Sequence, residues 1–316
     1  RNYTVPDDLK LLRGAIRARH EIQALRHIRL YDGRAQASDA SIAIDVPFEC
    51  GGLDVTVPAS EFASALEICD APEFKMMASG RLQVKQGGFK ASLPLFDNLA
   101  YPKSAPDGDK YEPGDGLLEA FATARPFTGD LKAWTKGVSI REGYVYATNG
   151  MSLVRVKVDV DEAIRITVPE SAVSELVRIG LPITALRVSE TSCTFKLGAK
   201  VWLRAQLISE EAPDMSKMIE PCDTPVPEGL REAVDKLAPF FEGPTSQVKL
   251  DENGVHAVGA TEAVIAIPNL PDSIFQSEGL REVLALAKYI NLNGYPQKCD
   301  YNDGERVSGA IVGVRV

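Results

Sequence analysis

Apolar residues fall three and four apart at Leu9, Leu12 and Ile16, which predicts a helix from Pro6 to about Arg19, opened by Asp7 and Asp8. The pattern then tightens into short runs that predict strands at about 26–31 and 41–47, around a turn at Asp32-Gly33. Val57-Pro58 starts a helix carrying Phe62, Ala65 and Leu66, with Pro58 in its first turn, where the missing N–H costs nothing. Strands near 73–77, 81–86 and 89–95 follow. The same order then returns. A helix over about 115–125 leads to strands at 136–140 and 144–148. A helix after Val168-Pro169 bears Val173, Leu176 and Val177, and strands follow near 185–189, 193–197 and 200–207. A third round has a helix at about 227–241, strands at 247–250 and 255–258, a helix at about 277–289 and a last strand ending at Val316.

The recurrence extends to individual residues. VTVPAS at 55–60 and ITVPES at 166–171 lie about 111 positions apart. The same offset pairs Lys85 with Lys196, Gly87 with Gly198 and Pro102 with Pro213. A near-equal step takes Asp32-Gly33 to Glu142-Gly143, and a further one reaches Asn253-Gly254. A register kept across strands, turns and helices implies one module used three times. Turn-forming linkers at Pro102–Gly108 and Pro221–Pro225 place the boundaries, giving modules at 1–108, 109–222 and 223–316. The expected fold class is α+β, with two helices packed on antiparallel sheet in each of three tandem modules. Neighbouring modules would cover each other's strand edges, and a closed ring would remove the last free ones.

Composition narrows the function classes. Of 316 residues, 45% are hydrophobic and 25% charged, the balance of a folded soluble chain. No apolar run approaches the roughly 20 residues of a membrane helix, and no signal-peptide pattern opens the chain. The expected location is the cytoplasm. Five cysteines without a CxxC pair argue for reduced thiols rather than a disulfide framework or a zinc site. The net charge of −9 argues against general coating of DNA but leaves room for one basic face.

Signals for catalysis are missing. There is no G-x-x-x-x-G-K-[ST] loop and no G-x-S-x-G elbow. His20, His27 and His256 stand apart from one another, and Ser92 and Ser171 have no evident histidine partner. Asp159, Asp161 and Glu162 lack the frame of a calcium loop. The expectation is a non-catalytic protein without cofactor or metal.

Several segments resemble one family in order and spacing. YATNGMSL at 146–153 is similar to its strand-turn motif ATDGHRL, and AQLISEEAPDMSKMI at 205–219 to its R-L-I-x-x-x-F-P-D-Y-x-x-V-I run. SLPLFDNLAYP at 92–102 resembles the end of its first domain, and IVGVRV its terminal V-M-P-M-R-L. The family is the bacterial-type sliding clamp, the β subunit of the replicative DNA polymerase III, and the resemblance covers the whole chain. Met151-Ser152 replace the family's His-Arg, Ala212 its Phe, and Val312-Gly313-Val314 its Met-Pro-Met, the departures of a divergent, phage-encoded member.

The resemblance implies a homodimeric ring that encircles duplex DNA without reading sequence and serves as a polymerase processivity factor. The implied partners are DNA polymerase, a clamp-loader ATPase and a second copy of the chain, in a bacterial or phage-infected cytoplasm. The inner wall would carry Lys10, Arg13 and Arg17, read as one helix face, with Arg19, Arg125, Arg178, Arg231, Lys236, Arg281 and Lys288. Glu61, Glu67, Glu119, Glu170 and Glu175 dilute that charge, and ordinary solvated helix positions are the plain alternative. A partner-peptide pocket would take Thr135, Thr148, Gly150, Met151, Leu153, Pro213, Lys217, Met218, Val312, Gly313, Val314 and Arg315, although Leu153, Met218 and Val314 also suit a core. The ring joint would use Leu93 on an edge strand, with Phe240 or Phe241 packing across it. Two alternatives stand beside this reading: a clamp-fold protein-binding hub that does not encircle DNA, and an unrelated repeat enzyme.

Overall fold

The structure is a computed structural model, and it describes residues 7–243 and 245–315. The expected helix start at Pro6, the turn residue Pro244 and the strand end at Val316 lie outside the described residues. Two compact units divide the chain. One takes the residues up to Pro113 with Glu175–Leu207, and the other takes Gly114–Ser174 with the residues from Ile208 onward. The fold is mixed α and β, with short helices and antiparallel sheets.

In the first unit an eight-stranded sheet runs in the order Val55–Pro58, His27–Tyr31, Arg34–Ser38, Ile42–Pro47, Val201–Gln206, Ser192–Leu197, Ile183–Val188, Asp109–Tyr111. The pair Ile42–Pro47 and Val201–Gln206 joins segments remote in sequence, with Ile44 opposite Leu203 and Asp45 opposite Trp202. The Asp32-Gly33 turn, both residues at positive φ, connects the two strands either side of it as a tight hairpin. The next strand is not the expected 41–47 but Arg34–Ser38. Its sequence RAQAS alternates only through alanine, which favours strands poorly, and residues on both of its faces are buried. Ala35 and Ala37 fill one side and Gln36 and Ser38 the other. A three-stranded sheet, Glu73–Met76, Leu82–Gln86 and Phe89–Leu93, completes the unit and leaves Phe89–Leu93 as an edge, with Leu93 buried.

The first helix is much shorter than its periodicity predicts. It runs Asp7–Leu11, tightens into a 3₁₀ turn at Leu12–Ala15, and gives way to extended backbone at Ile16. Gly14, the weakest helix former of this segment, lies in the 3₁₀ turn just before the backbone becomes extended. Arg17 and Arg19 are therefore off the helix, and the single basic face of Lys10, Arg13 and Arg17 does not form. Pro58 also differs from expectation. It ends a strand opposite His27, in extended backbone, and the helix begins after it at Ala59. Phe62, Ala65 and Leu66 are buried as the spacing predicts. Phe62 packs edge-on to Phe48 at 5.9 Å and against Phe74 at 5.9 Å.

The second unit holds a seven-stranded sheet in the order Arg165–Pro169, Gly137–Arg141, Tyr144–Thr148, Ser152–Lys157, Val307–Val312, Lys298–Asn302, Tyr289–Ile290. A four-stranded sheet runs Ala263–Ile265, Gly254–Val258, Gln247–Asp251, Ser273–Gln276. Glu142-Gly143 repeats the positive-φ hairpin of Asp32-Gly33. Helix Leu230–Leu237 packs on helix Ser277–Leu286. The latter stops short of the expected 289, because Ala287 turns extended and Tyr289–Ile290 joins the sheet. Lys288 is thereby off the helix. Tyr301 is fully buried and donates to the Leu153 carbonyl at 3.0 Å, tying two strands of the larger sheet.

Cys50, Cys69, Cys193 and Cys299 are buried and Cys222 is half-buried, and all five are free thiols. Burial pushes the Cys299 thiol up to about 11, so it stays protonated and unreactive. Among the described residues no helix is long and apolar enough to cross a membrane.

Glu282, half-buried on the last helix, gives the stability a pH dependence. Burial, reinforced by the Glu278 carboxylate, pushes its carboxyl up to about 7. The folded state then holds a proton that the unfolded chain has released. The stabilisation is present below about 4.5 and is lost as the pH rises through about 7. Glu282→Gln is expected to raise stability by about 1–2 kcal/mol at pH 8, allowing for the group's partial exposure, and to change little at pH 4. Thermal melts of both proteins at the two pH values check this.

Candidate functional site

The second unit contains an apolar cavity of about 400 Å³. Leu153 and Met215 of its lining belong to a buried cluster with Tyr146 and Ala212, against which Trp134, Tyr144 and Ile219 pack. Three pieces of chain build its walls, and each is held by local polar chemistry.

The first wall is the turn joining Tyr144–Thr148 to Ser152–Lys157. Asn149 Oδ1 accepts from the backbone N–H groups of Met151 and Ser152, both at 2.9 Å. Thr148 Oγ1 accepts from Gly150 N and donates to Ser152 O at 2.7 Å. Gly150 has φ +90, and a Cβ there would lie 2.9 Å from Leu131 Cδ2. The position needs glycine for both reasons. The turn presents Met151 to the cavity, and Met151 O accepts from Val312 N at 2.8 Å.

The second wall is the 131–135 segment. Thr135 is fully buried, and its Oγ1 donates toward Lys132 O at 2.8 Å while accepting from Lys132 N at 3.0 Å. That small loop holds Leu131 and Trp134 at the rim, with Leu131 68% exposed. The third wall is the connector through Pro213, Met215 and Met218, pinned where Lys298 Nζ donates to Met218 O and to Asp300, each at 3.2 Å.

Thr135, Thr148, Gly150, Met151, Leu153, Pro213, Met218 and Val312 all line this cavity, as the sequence reading assigned them. Lys217, Gly313, Val314 and Arg315 do not. Lys217 is exposed on a 3₁₀ turn. Val314 N donates to Ile274 O at 2.7 Å and Val314 O accepts from Tyr295 Oη at 2.8 Å, which draws the chain end onto the smaller sheet. Gly313 is buried against the Tyr295 ring. The sequence reading also missed Leu131, Lys132, Trp134, Ser152, Met215, Lys298 and Ala310. Trp134 could have been found, since it is one of only two tryptophans and directly precedes Thr135. Lys298 and Ala310 reach the cavity only through strand pairing.

The lining offers apolar side chains and two lysines but no nucleophile paired with a base. It suits binding of an apolar segment. Among the described residues no group of three or more His, Cys, Asp and Glu is placed to hold a metal.

The cations assigned to a DNA-facing wall are mostly engaged within the chain. Lys10 pairs with Asp7 at 3.0 Å, Arg17 with Asp39, Arg281 with Asp235 at 3.2 Å and Lys288 with Glu305 at 3.2 Å. Arg178 pairs with Glu175 at 2.6 Å and donates to Leu11 O. Arg125 donates to Ser174 Oγ, and Arg231 to Ala287 O. Arg13, Arg19 and Lys236 are exposed. Phe240 is 41% exposed on the 3₁₀ turn after helix Leu230–Leu237, and Phe241 is half-buried.

The fold is one of antiparallel sheets carrying short helices, with an apolar cavity in the second unit. The sequence itself matches no known family model and no curated protein. In structure, the chain superposes on the DNA polymerase sliding clamp of Caulobacter crescentus with a TM-score of 0.83 at 19% identity, over 98% of this chain and 96% of that one. For the sliding clamp of Bacillus subtilis the values are 0.80, 17%, 98% and 96%. For the Helicobacter pylori β clamp, solved with a DNA ligase peptide bound, they are 0.77, 15%, 97% and 96%. The chain has the bacterial sliding-clamp fold along nearly its whole length.

Proposed function

We propose that this protein is a DNA polymerase processivity factor: a non-catalytic clamp, built from modules at 1–108, 109–222 and 223–316, two copies of which close around duplex DNA. The observation that carries the reading is the apolar cavity. Eight residues assigned to a partner-peptide pocket from sequence come together around it in a chain of sliding-clamp fold. The cavity would take apolar side chains of a short extended segment from a polymerase or clamp-loader subunit, while Lys132 at its rim favours a carboxylate beside it. Met151 and Met218 suit a surface that accepts several such segments. Retention on DNA would come from enclosure, so few strong phosphate contacts are needed, in keeping with the net charge of −9. Leu93 and Phe240 or Phe241 are the residues proposed for the joint between copies, and the cytoplasm is the proposed location.

The test joins mass to topology. The solution mass should be that of two chains, and protein loaded onto nicked circular DNA should stay bound until the circle is linearised. Met151→Asp with Val312→Asp should leave the mass unchanged and weaken polymerase-peptide binding by about 30-fold or more, the effect of losing roughly 2 kcal/mol at a pocket centre. A monomer that is not retained on circles would defeat the proposal. The ion pairing of Arg17, Arg178, Arg281 and Lys288 favours a second reading, a protein-binding hub that does not encircle DNA. Peptide binding without retention on circles would support it.

A further inference from the structure

A second cavity, of about 380 Å³, lies in the first unit on the face of the eight-stranded sheet. Register places its residues together. Lys110 is opposite Arg187, Arg187 opposite Thr194, Lys196 opposite Trp202 and Trp202 opposite Asp45. Side chains alternate along each strand. Leu186, Phe195, Leu197 and Leu203 point into the core, and Arg187, Thr194, Lys196 and Trp202 share the opposite face. Arg34 and Pro106 wall the cavity. Arg34 is fixed there by Asp45 and by donation to Lys200 O at 2.6 Å.

Three observations set this cavity apart. In a chain of net charge −9, five cations line it: Arg34, Lys110, Arg187, Lys196 and Lys200. None of the lining residues is an acid. Lys110, Lys196 and Lys200 are exposed and have no ion-pair partner among the described residues, and Arg187 is spent only on the Gly108 carbonyl at 3.1 Å. The cavity's apolar part is supplied by Trp202, Ala185 and Pro106. Thr194 is 3% exposed, yet its Oγ1 has no hydrogen-bond partner among the described residues, and neither does the buried Nε of Arg204 opposite it. A buried polar atom left unpaired is costly and is rare in folded proteins.

We infer that this cavity is a docking site for an acidic peptide segment of a partner protein, distinct from the apolar cavity of the second unit. An apolar side chain of the segment rests on Trp202 between its neighbours' carboxylates, which meet Lys110, Arg187, Lys196 and Lys200. A polar atom of the segment satisfies Thr194 Oγ1. Charge complementarity selects the occupant. A single-stranded nucleic acid would need successive stacking platforms along a groove, and this cavity has one ring. The inference does not rest on the clamp reading, since binding can be measured on the chain whatever it encircles.

The test is calorimetric titration of the full chain with a capped five-residue peptide, one phenylalanine between two pairs of aspartates. Saturable binding is expected at low salt, weakened about tenfold at several hundred millimolar salt. Arg187→Glu with Lys196→Glu should weaken it at least tenfold, and Lys90→Glu, a charge reversal on a different sheet of the same unit, should not. Thr194→Val should keep or raise the melting temperature and still weaken the peptide severalfold, which separates loss of a ligand contact from loss of fold. The inference is overturned if the peptide fails to bind at millimolar concentration. It is also overturned if both Thr194→Val and the double reversal leave affinity unchanged, or if inorganic phosphate or a short single-stranded oligonucleotide binds as tightly as the peptide.

Discussion

Gly309→Ala is expected to destabilise the second unit by about 3–5 kcal/mol and to lower the melting temperature by roughly 10 °C or more. Gly309 sits in the middle of Val307–Val312, opposite Val154 on one side and Tyr301 on the other. Its φ is not the problem. A Cβ there would overlap the Leu153 carbonyl oxygen and come within 2.5 Å of Tyr301 Oη. The carbonyl belongs to a paired strand and cannot swing away, and Tyr301 is fully buried and already donates to that carbonyl. The added methyl must force neighbouring central strands away from each other, which is overpacking at its most severe. Gly279→Ala gives the contrast. Its new Cβ would sit 3.8 Å from Ile311 Cδ1, an ordinary contact within a helix, and should stabilise by about 0.5–1 kcal/mol. Melts of both variants check the sign of each. Because Leu153 also lines the apolar cavity, peptide binding should fall with Gly309→Ala and not with Gly279→Ala.

Asp45→Ala should cost the first unit about 3–4 kcal/mol, read as an earlier unfolding midpoint in denaturant. Asp45 is fully buried and accepts from the Tyr31 hydroxyl, from Arg34 Nε and from Gln36 Nε2. Gln36 in turn holds the linker, accepting from Ser104 N at 2.7 Å and donating to Ser104 O at 2.9 Å. Tyr101 adds a bond to Gln36 O, and Lys103 lies 3.8 Å from the Tyr31 ring centre. Removing the carboxylate takes an acceptor from a guanidinium, a phenol and an amide together, all partly or wholly out of water, although Arg34 keeps Lys200 O and Gln36 keeps Ser104 O. Asp45→Asn should restore some of the loss, because an amide oxygen still accepts but carries no charge for Arg34. Native-state hydrogen exchange should show the segment around Ser104 opening more readily in Asp45→Ala than in Asp45→Asn.

Legibility from sequence followed the source of each element's stability. Helix Ala59–Ile68 and helix Glu170–Ile179 were readable because each buries one face against a sheet and is polar on the other. The hairpins at Asp32-Gly33 and Glu142-Gly143 were readable because a turn at positive φ restricts which residues can occupy it. Strand Arg34–Ser38 was not, since its only apolar residues are two alanines, which favour strands poorly. The first helix was over-read by periodicity alone, because the apolar spacing runs on through Gly14, a weak helix former, while the backbone turns extended at Ile16. In the apolar cavity the residues of the Thr148–Leu153 turn were legible as a motif. Leu131, Met215, Lys298 and Ala310 carry no local signal, for they meet only when the connector and the last strands pack around that turn.

The amphipathic helices, the recurring sequence spacing and the turn residues were dictated by the chain itself, because backbone preference and hydrophobic spacing act over a few residues. The tertiary structure alone decided which strands from distant segments pair, as Ile42–Pro47 does with Val201–Gln206, and where cations gather without acids, as around Trp202. Those outcomes depend on side chains that share a sheet face only after folding, and no local preference encodes such a meeting.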